Sequence, residues 1–256
     1  MDQASSLREL MGKMNGKEKE DKAASVAFIS MEPVENMNVF LKKLAIYTNQ
    51  RMDKRICLMG IKEEKEFTLE DYIYRRCEIH ELKRTLTRSV DVIHGLLDVI
   101  GTIRTSSSSL TKLIQLVEKV EQETDLLMYD AGNQINAVNV NISMAANQIV
   151  LVIKPTASSL QDALDYIKIL FKMNVQTKIG VIVDSGDLAV SMKQYKKLQE
   201  IALSEFNYHI EMVGCFEFKY IPLFAEAEVF EGFNSDFFVK MENKRSFSES
   251  LLKMMP

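Results

Sequence analysis

The sequence contains no tryptophan, and only ten glycines, four prolines and three cysteines occur among its 256 residues. So little glycine and proline is not typical of a loop-rich scaffold. The three cysteines, Cys57, Cys77 and Cys215, lie far apart, which argues against a disulfide framework or a metal cluster and fits a reducing compartment. No apolar run approaches the roughly 18 residues of a membrane span, and the N-terminus does not resemble a signal peptide. We therefore expect a cytoplasmic protein.

A basic excess is also missing, since 32 Lys and Arg stand against 36 Asp and Glu, for a net charge of −4. This balance gives no electrostatic basis for nucleic-acid binding. The hydrophobic fraction of 46% is ordinary for a globular protein. A chain of this length accommodates one large α/β domain with extensions, or at most two small domains.

The first 22 residues differ in pattern from the rest. Leu7, Leu10, Met11 and Met14 have the i, i+3, i+4, i+7 spacing of one helical face, with Asp2 as a plausible N-cap. A charged linker follows at 15–22 and spans at most ~26 Å. An isolated helix of about twelve residues is marginal in water, so this one needs something to pack on. The pattern leaves open whether that is its own domain or a partner. We divide the chain into this segment (1–22) and a body (23–256).

The body alternates between strand and helix patterns. Strands are predicted at 26–30, 55–60, 126–130, 148–155, 178–184 and 212–218, and helices at 38–47, 67–76, 110–123, 137–146, 159–173 and 191–206. The type of segment 75–109 stays open, and 222–256 is predicted to be irregular or helical. Short apolar strands between helices predict a parallel sheet flanked by helices, an α/β fold. Such sheets bind ligands at the carboxyl ends of their strands, here the turns after residues 30, 60 and 130.

Four segments carry a resemblance to a known family. Residues 125–132 have the form D-x-x-x-x-D-x-G, residues 68–73 read TLEDYI, and residues 145–168 contain two alanines, an apolar strand and P-x-x-x-S-x-x-D-A. These segments resemble MinD/ParA-type deviant P-loop ATPases. Asp2, Gln3, Ala4, Leu7 and Arg8 match D-Q-A-x-x-L-R, which is similar to the N-terminus of the flagellar number regulators FlhG, also called FleN or YlxH. The resemblance implies a P-loop NTPase-like fold with a mostly parallel central sheet.

The resemblance also implies a partner. In the flagellar branch this N-terminal peptide binds FlhF, a GTPase of the signal-recognition-particle type, and stimulates its GTP hydrolysis. By that resemblance Gln3 enters the active site of the GTPase, Leu7 anchors the apolar face, and Asp2 and Arg8 make polar contacts. A glutamine beside the γ-phosphate can orient the attacking water. The implied role is control of flagellar placement or number, with recruitment to the membrane or cell pole by the GTPase and contacts with other flagellar or membrane-associated proteins.

The phosphate loop departs from the family pattern. The family's S-G-K-G-G-V-G-K-[ST]-N aligns without gaps from Ser30, which puts Glu32 in place of the signature lysine, Met37 in place of the main lysine and Asn38 in place of the magnesium-binding Ser or Thr. Glycines become Met31, Pro33, Val34 and Asn36. Pro33 has no N–H, Met37 has no charge, and Glu32 and Glu35 would each repel a phosphate by about 4 kcal/mol at ~4 Å and an effective dielectric near 20. We therefore expect a pseudo-ATPase with no bound ATP, no magnesium and no ATP-dependent dimer.

The other family positions are altered as well. Gly60 and Lys62 replace the D-x-D acids, and Asp184 replaces the asparagine that reads adenine. Asp130 alone remains, and a single acid at a strand end is more often a capping residue than a catalyst. Two alternatives to the FlhG-like regulator stay open: a nucleotide-binding ATPase with an altered site, and an interaction scaffold whose partner has changed.

The last residues form a weak amphipathic pattern. Phe247, Leu251, Met254 and Met255 share one helical face with basic residues nearby. The pattern is short, and it favours a helix that docks on the body over one that binds a membrane.

Overall fold

The computed structural model describes residues 23–61, 67–95, 107–133, 135–173, 177–239 and 244–254. Eight strands form one sheet: β1 (Ala24–Ser30), β2 (Ile56–Ile61), β3 (Lys83–Thr87), β4 (Val90–His94), β5 (Leu126–Asp130), β6 (Gln148–Ile153), β7 (Lys178–Asp184) and β8 (Ile210–Phe216). Their order in the sheet is β3-β4-β2-β5-β1-β6-β7-β8. The described pairs are parallel except β3 with β4, which is antiparallel. This is the predicted α/β fold with a mostly parallel sheet.

The helices connect the strands and cover the sheet. In the described part of the chain they are α1 (Met37–Met52), α2 (Leu69–Ile73), α3 (Ile79–Leu82), α4 (Ser107–Glu123), α5 (Ala137–Ala145), α6 (Ala157–Lys172), α7 (Leu188–Phe206), α8 (Glu226–Val229), α9 (Asp236–Val239) and α10 (Phe247–Met254), with a 3₁₀ helix at Phe218–Leu223. No described helix is long and apolar enough to cross a membrane.

Each face of the sheet has its own apolar core. Side chains alternate along β1, so Ala27 and Ile29 belong to the core under α4 to α7 and α10, whereas Val26 and Phe28 belong to the core under α1. All seven residues of β1 are buried, as expected for a central strand of a parallel sheet that is covered on both faces. The carboxyl end of β1 therefore lies at the middle of one edge of the sheet.

Aromatic side chains fill the core under α1. The ring of Phe40 lies 5.2 Å from Phe216, 4.7 Å from Phe218 and 5.7 Å from Phe230, measured between centroids. Tyr47 lies 4.6 Å from Phe230. Aromatic contacts of this kind add to the free energy of burial. They hold the region after β8, predicted only as irregular or helical, against the first helix.

The type of segment 75–109 stayed open in the sequence, and its described part contains β3, β4 and α3. β4 is apolar and buried, but β3 (KRTLT) is polar and half-exposed at the edge of the sheet. Lys83 of β3 forms ion pairs with Asp91 at 3.1 Å and with Glu123 at 3.0 Å. A charged, short edge strand resists pairing with other chains. At this edge the antiparallel strand β3 departs from the parallel arrangement that the strand–helix repeats predict.

The C-terminal helix α10 packs on the body. Phe247 and Leu251 are buried, and the Phe247 ring stacks on Tyr129 with centroids 4.1 Å apart. The Glu121 carboxylate accepts hydrogen bonds from the Phe247 N–H at 2.6 Å and from the Ser248 N–H at 3.1 Å, at the N-terminus of α10. A carboxylate at this position also interacts favourably with the helix dipole. The apolar side chains Phe247 and Leu251 are thus inside the protein.

Candidate functional site

The turn after β1, residues 31–36, lies between the ends of its two neighbours in the sheet. The Ser30 N–H donates to the Gly132 carbonyl at 2.9 Å, on the β5 side. The Met31 N–H donates to the Val152 carbonyl, also at 2.9 Å, on the β6 side. The turn therefore starts at the edge where parallel α/β sheets place their ligands.

The end of the turn is fixed by Asn36. Its backbone has the left-handed conformation (φ 57°), and α1 begins at the next residue, Met37. The Asn36 amide donates to the carbonyls of Phe218 and Lys219, both at 3.3 Å. Met37 is buried in the core under α1, and Asn38 is half-buried. The Asn36 side chain thus ties this turn to the segment after β8.

Glu32 makes the most extensive contacts of the turn. Its Oε1 accepts hydrogen bonds from the hydroxyls of Thr156 and Ser158, each at 2.9 Å. Lys154 Nζ lies 4.0 Å from Glu32 Oε2 and donates to the Pro33 carbonyl at 2.8 Å. Thr156 is the N-cap of α6, so the Glu32 carboxylate sits at the positive end of that helix. We call this set of contacts between Glu32 and residues 154–158 the Glu32 latch.

Gly60 and Asp130 meet at the ends of β2 and β5. Gly60 has φ +87°, and a Cβ built on it would lie 2.5 Å from the Asp130 carbonyl oxygen. The β2–β4 register shifts at the same place. The Asp130 carboxylate accepts a hydrogen bond from the Gly132 N–H at 2.9 Å, the local turn contact that aspartate typically makes. The backbone here accepts only glycine at position 60. Lys62 lies outside the described residues.

Asp184 ends β7 on the other side of β1. Its Oδ1 accepts a hydrogen bond from the Phe218 N–H at 3.1 Å. The pKa of the Asp184 carboxyl is raised, chiefly because the group is buried. The carboxylates of Glu217 and Glu35 also raise this pKa, whereas the Phe218 N–H and Lys154 lower it. The carboxylate therefore connects the end of β7 to the 3₁₀ helix that follows β8.

The residues singled out in the body share one edge of the sheet. Glu32, Pro33, Asn36, Met37 and Asn38 belong to the turn after β1 and the start of α1, whereas Gly60, Asp130 and Asp184 lie at the ends of β2, β5 and β7. The N-terminal candidates Asp2, Gln3, Ala4, Leu7 and Arg8 lie outside the described residues.

Three polar residues at this edge were missed from the sequence: Lys154, Thr156 and Ser158. The segment was noted for its family pattern, but not as the partner of Glu32. A usable signal existed, because Thr156 lies three residues before the predicted helix, within the error of a predicted boundary, and a Thr at a helix start indicates an N-cap. An N-cap marks a place where an anion is stabilised.

Comparison with known proteins gives the fold but no close relative. No family model matches the sequence, and no curated protein matches it either. Among solved structures, MinD of Aquifex aeolicus is 13% identical with a TM-score of 0.57, covering 91% of this chain and 95% of its own. A ParA family ATPase from Chlorobium tepidum TLS is 13% identical with a TM-score of 0.59, covering 91% and 98%. A complex of Cyanothece McdA with ATP is 12% identical with a TM-score of 0.57, covering 91% and 96%.

These similarities extend over almost the whole of each chain, but identities of 12% and 13% carry information on the fold alone. The eight-stranded sheet and its covering helices match the fold of MinD/ParA-type P-loop ATPases. The chain therefore has a MinD/ParA-like, P-loop NTPase-like fold.

Proposed function

We propose that this protein is a non-catalytic, FlhG-like regulator that binds an FlhF-type GTPase through residues 2–8 and stimulates GTP hydrolysis by that partner. The observation that carries the non-catalytic part of the proposal is the Glu32 latch: where the resembling ATPases have a signature lysine, a carboxylate accepts hydrogen bonds at the N-terminus of α6. The protein would keep the fold and lose the phosphate chemistry. It would then act by stimulating a reaction that another protein catalyses.

Electrostatics at this edge support the loss of ATP binding. The turn after β1 contributes Glu32 and Glu35, and Asp184 ends β7 at the same edge. The nearby cation Lys154 already contacts Glu32 and the Pro33 carbonyl. A phosphate chain placed there would meet several carboxylates, and each pair at ~4 Å costs about 4 kcal/mol at an effective dielectric near 20. A micromolar ligand gains only about 8 kcal/mol in total. We infer that neither ATP nor magnesium binds, and that no ATP-dependent dimer forms.

The N-terminal motif supports the proposed binding of a GTPase. Asp2, Gln3, Ala4, Leu7 and Arg8 match five fixed positions of the FlhG motif. A segment whose helix is marginal alone can fold when it binds, and its apolar face then provides the contact area. Gln3 would act in the partner by orienting the attacking water, a role worth large factors in GTP hydrolysis.

A nucleotide-binding role is the second candidate. Solved structures with this fold include the complex of Cyanothece McdA with ATP and a plasmid partition protein from Borrelia burgdorferi B31 bound to AMPPNP. Asp130 stands at a strand end in the position of the family's magnesium-orienting acid. Calorimetric titration with Mg-ATP separates the two candidates. We expect no heat of binding, and micromolar affinity would replace the first proposal with the second.

GTP turnover by an FlhF-type GTPase tests the proposed activity. We expect the full chain to accelerate turnover and Gln3→Ala to abolish the acceleration while leaving binding intact. Ser5→Ala is the matched control, because Ser5 occupies a variable position of D-Q-A-x-x-L-R and should retain full stimulation. If the parent chain does not stimulate turnover, the proposed activity is rejected in favour of an interaction scaffold with a different partner. If Gln3→Ala stimulates like the parent, the role assigned to Gln3 is rejected.

A further inference from the structure

Three large apolar side chains are exposed at the ends of α6 and α7. Phe171, Met173 and Leu203 have relative exposures of 50%, 53% and 48%. The Phe171 ring lies 5.7 Å from that of Phe206, which joins the two helix ends, and Leu203 lies one turn before Phe206. We call Phe171, Met173 and Leu203 the edge patch. A group of large apolar side chains left in water marks a surface that packs against something.

The edge patch lies at the amino end of the sheet. α6 and α7 return the chain to the starts of β7 and β8, so their last turns lie at the edge where the parallel strands begin. Hydrogen bonds connect this place to the start of β1. Ser25 donates to Asn147 at 2.8 Å, Asn147 donates to the Arg245 carbonyl at 3.3 Å, and Arg245 donates to the Thr177 hydroxyl at 3.0 Å. Tyr208, just after α7, hydrogen-bonds to the Thr177 backbone.

The segment of residues 1–22 joins the body at that same edge, through Ala23. The Ala23 side chain belongs to the core that also contains Leu170 of α6, so both lie in the same layer of the fold. With strands ~4.8 Å apart and a helix layer about 10 Å from the sheet, the edge patch is on the order of 20 Å from Ala23. The linker 15–22 has eight residues and spans at most ~26 Å. It can reach the edge patch.

Exposed apolar residues also occur at the opposite edge, among them Leu188 and Leu223. They lie farther from Ala23 by about the length of a strand, which is about 23 Å for the seven residues of β1. The linker would have to span that distance in addition. Reach therefore favours the edge patch as the dock for the N-terminal segment.

We propose that Leu7, Leu10, Met11 and Met14 dock on the edge patch of their own chain. Their spacing predicts one apolar helical face, and docking would supply the packing that a helix of about twelve residues needs in water. This docking does not depend on which partner protein the segment binds. Its consequence for the GTPase rests on the proposed function: Leu7 would face either the edge patch or the partner, so docking would keep the segment from the partner until the partner competes for it.

Photocrosslinking in the full chain tests the docking. With Met11 replaced by p-benzoylphenylalanine, irradiation should give a monomer-sized product whose tryptic peptides join residue 11 to those containing Phe171, Met173 or Leu203. Leu203→Glu should lower the yield about fivefold, since docking would bury only the exposed half of the leucine side chain and full burial contributes at least about tenfold. Leu188→Glu is the matched control at the other end of α7, and it should leave the yield unchanged.

Three results would overturn the docking: crosslinks to other parts of the body, a dimer-sized product, or equal losses with Leu203→Glu and Leu188→Glu. GTP turnover separates this failure from failure of the proposed function. If both proposals hold, Leu203→Glu stimulates the GTPase at lower concentration than the parent chain. If docking alone holds, the crosslink forms and no variant stimulates; if the GTPase role alone holds, parent and Leu203→Glu stimulate equally and the crosslink is missing.

Discussion

The Glu32 latch should contribute measurably to stability. Glu32→Ala removes two hydrogen bonds from hydroxyls to a charged acceptor, each 2.9 Å long. Such bonds contribute about 1.5–3 kcal/mol each when buried. The Glu32 side chain is 25% exposed, so solvent screening reduces that contribution. We expect a loss of about 2 kcal/mol in the free energy of unfolding, which corresponds to a decrease of about 4–8 °C in Tm for a domain of this size.

A double-mutant cycle isolates the contact itself. Ser158→Ala removes one of the two donors and leaves the Thr156 cap of α6 in place. Urea denaturation of the parent, both single variants and the double variant should give a coupling energy of about 1 kcal/mol. Glu35→Ala is the matched control, because Glu35 is an exposed carboxylate of the same turn, and it should change stability by less than about 0.5 kcal/mol. Additivity of Glu32→Ala and Ser158→Ala within about 0.3 kcal/mol would refute the latch.

Two further predictions concern stability. Gly60→Ala should destabilise the protein by at least about 3 kcal/mol, because a left-handed backbone and a contact with the Asp130 carbonyl both oppose a Cβ. Gly232→Ala is its control, with φ +78° and nothing within 4 Å of the added Cβ, and urea denaturation that finds equal losses would exclude the contact. Burial raises the pKa of Glu121 above 4.5, although the hydrogen bonds from residues 246–248 lower it. The stability that this group contributes is therefore fully present below pH 4.5, and it is lost as the pH rises through the folded-state pKa. Relative to Glu121→Gln, which does not titrate, the parent should therefore lose stability as the pH rises above about 4.5, and a difference that stays constant with pH would contradict the raised pKa.

The strands at the centre of the sheet could be predicted because burial on both faces demands continuous apolar runs. β1, β5, β6 and β7 are found at or within a residue or two of the predicted positions. β3 could not be predicted this way, since an edge strand that begins with half-buried Lys83 and exposed Arg84 has no such run. β8 begins at Ile210 rather than 212, and α7 begins at Leu188 rather than 191 because Asp187 caps it, accepting from the Ala189 N–H at 2.8 Å.

The candidate site was predictable in position but not in its contacts. The turn between a buried strand and a helix identified the segment after residue 30, the end of a strand identified Asp130, and the family resemblance identified Asp184. The partners of Glu32 are 124 and 126 residues away in sequence, and no local pattern relates them. Capping by Asp130 was expected from its type, and its hydrogen bond with the Gly132 N–H agrees. Long-range side-chain contacts require the topology before they can be inferred.

Gly60 also bears on how this protein can change. A change from glycine to aspartate at position 60 would introduce the acid that the resembling ATPases carry at the matching position. That step would place a side chain 2.5 Å from the Asp130 carbonyl on a backbone with φ +87°. Because the register of β2 with β4 shifts at this glycine, an acidic side chain here would need compensating changes in the backbone of both strands. The present backbone thus restricts what position 60 can hold, and a carboxylate there would require the end of β2 to be rebuilt.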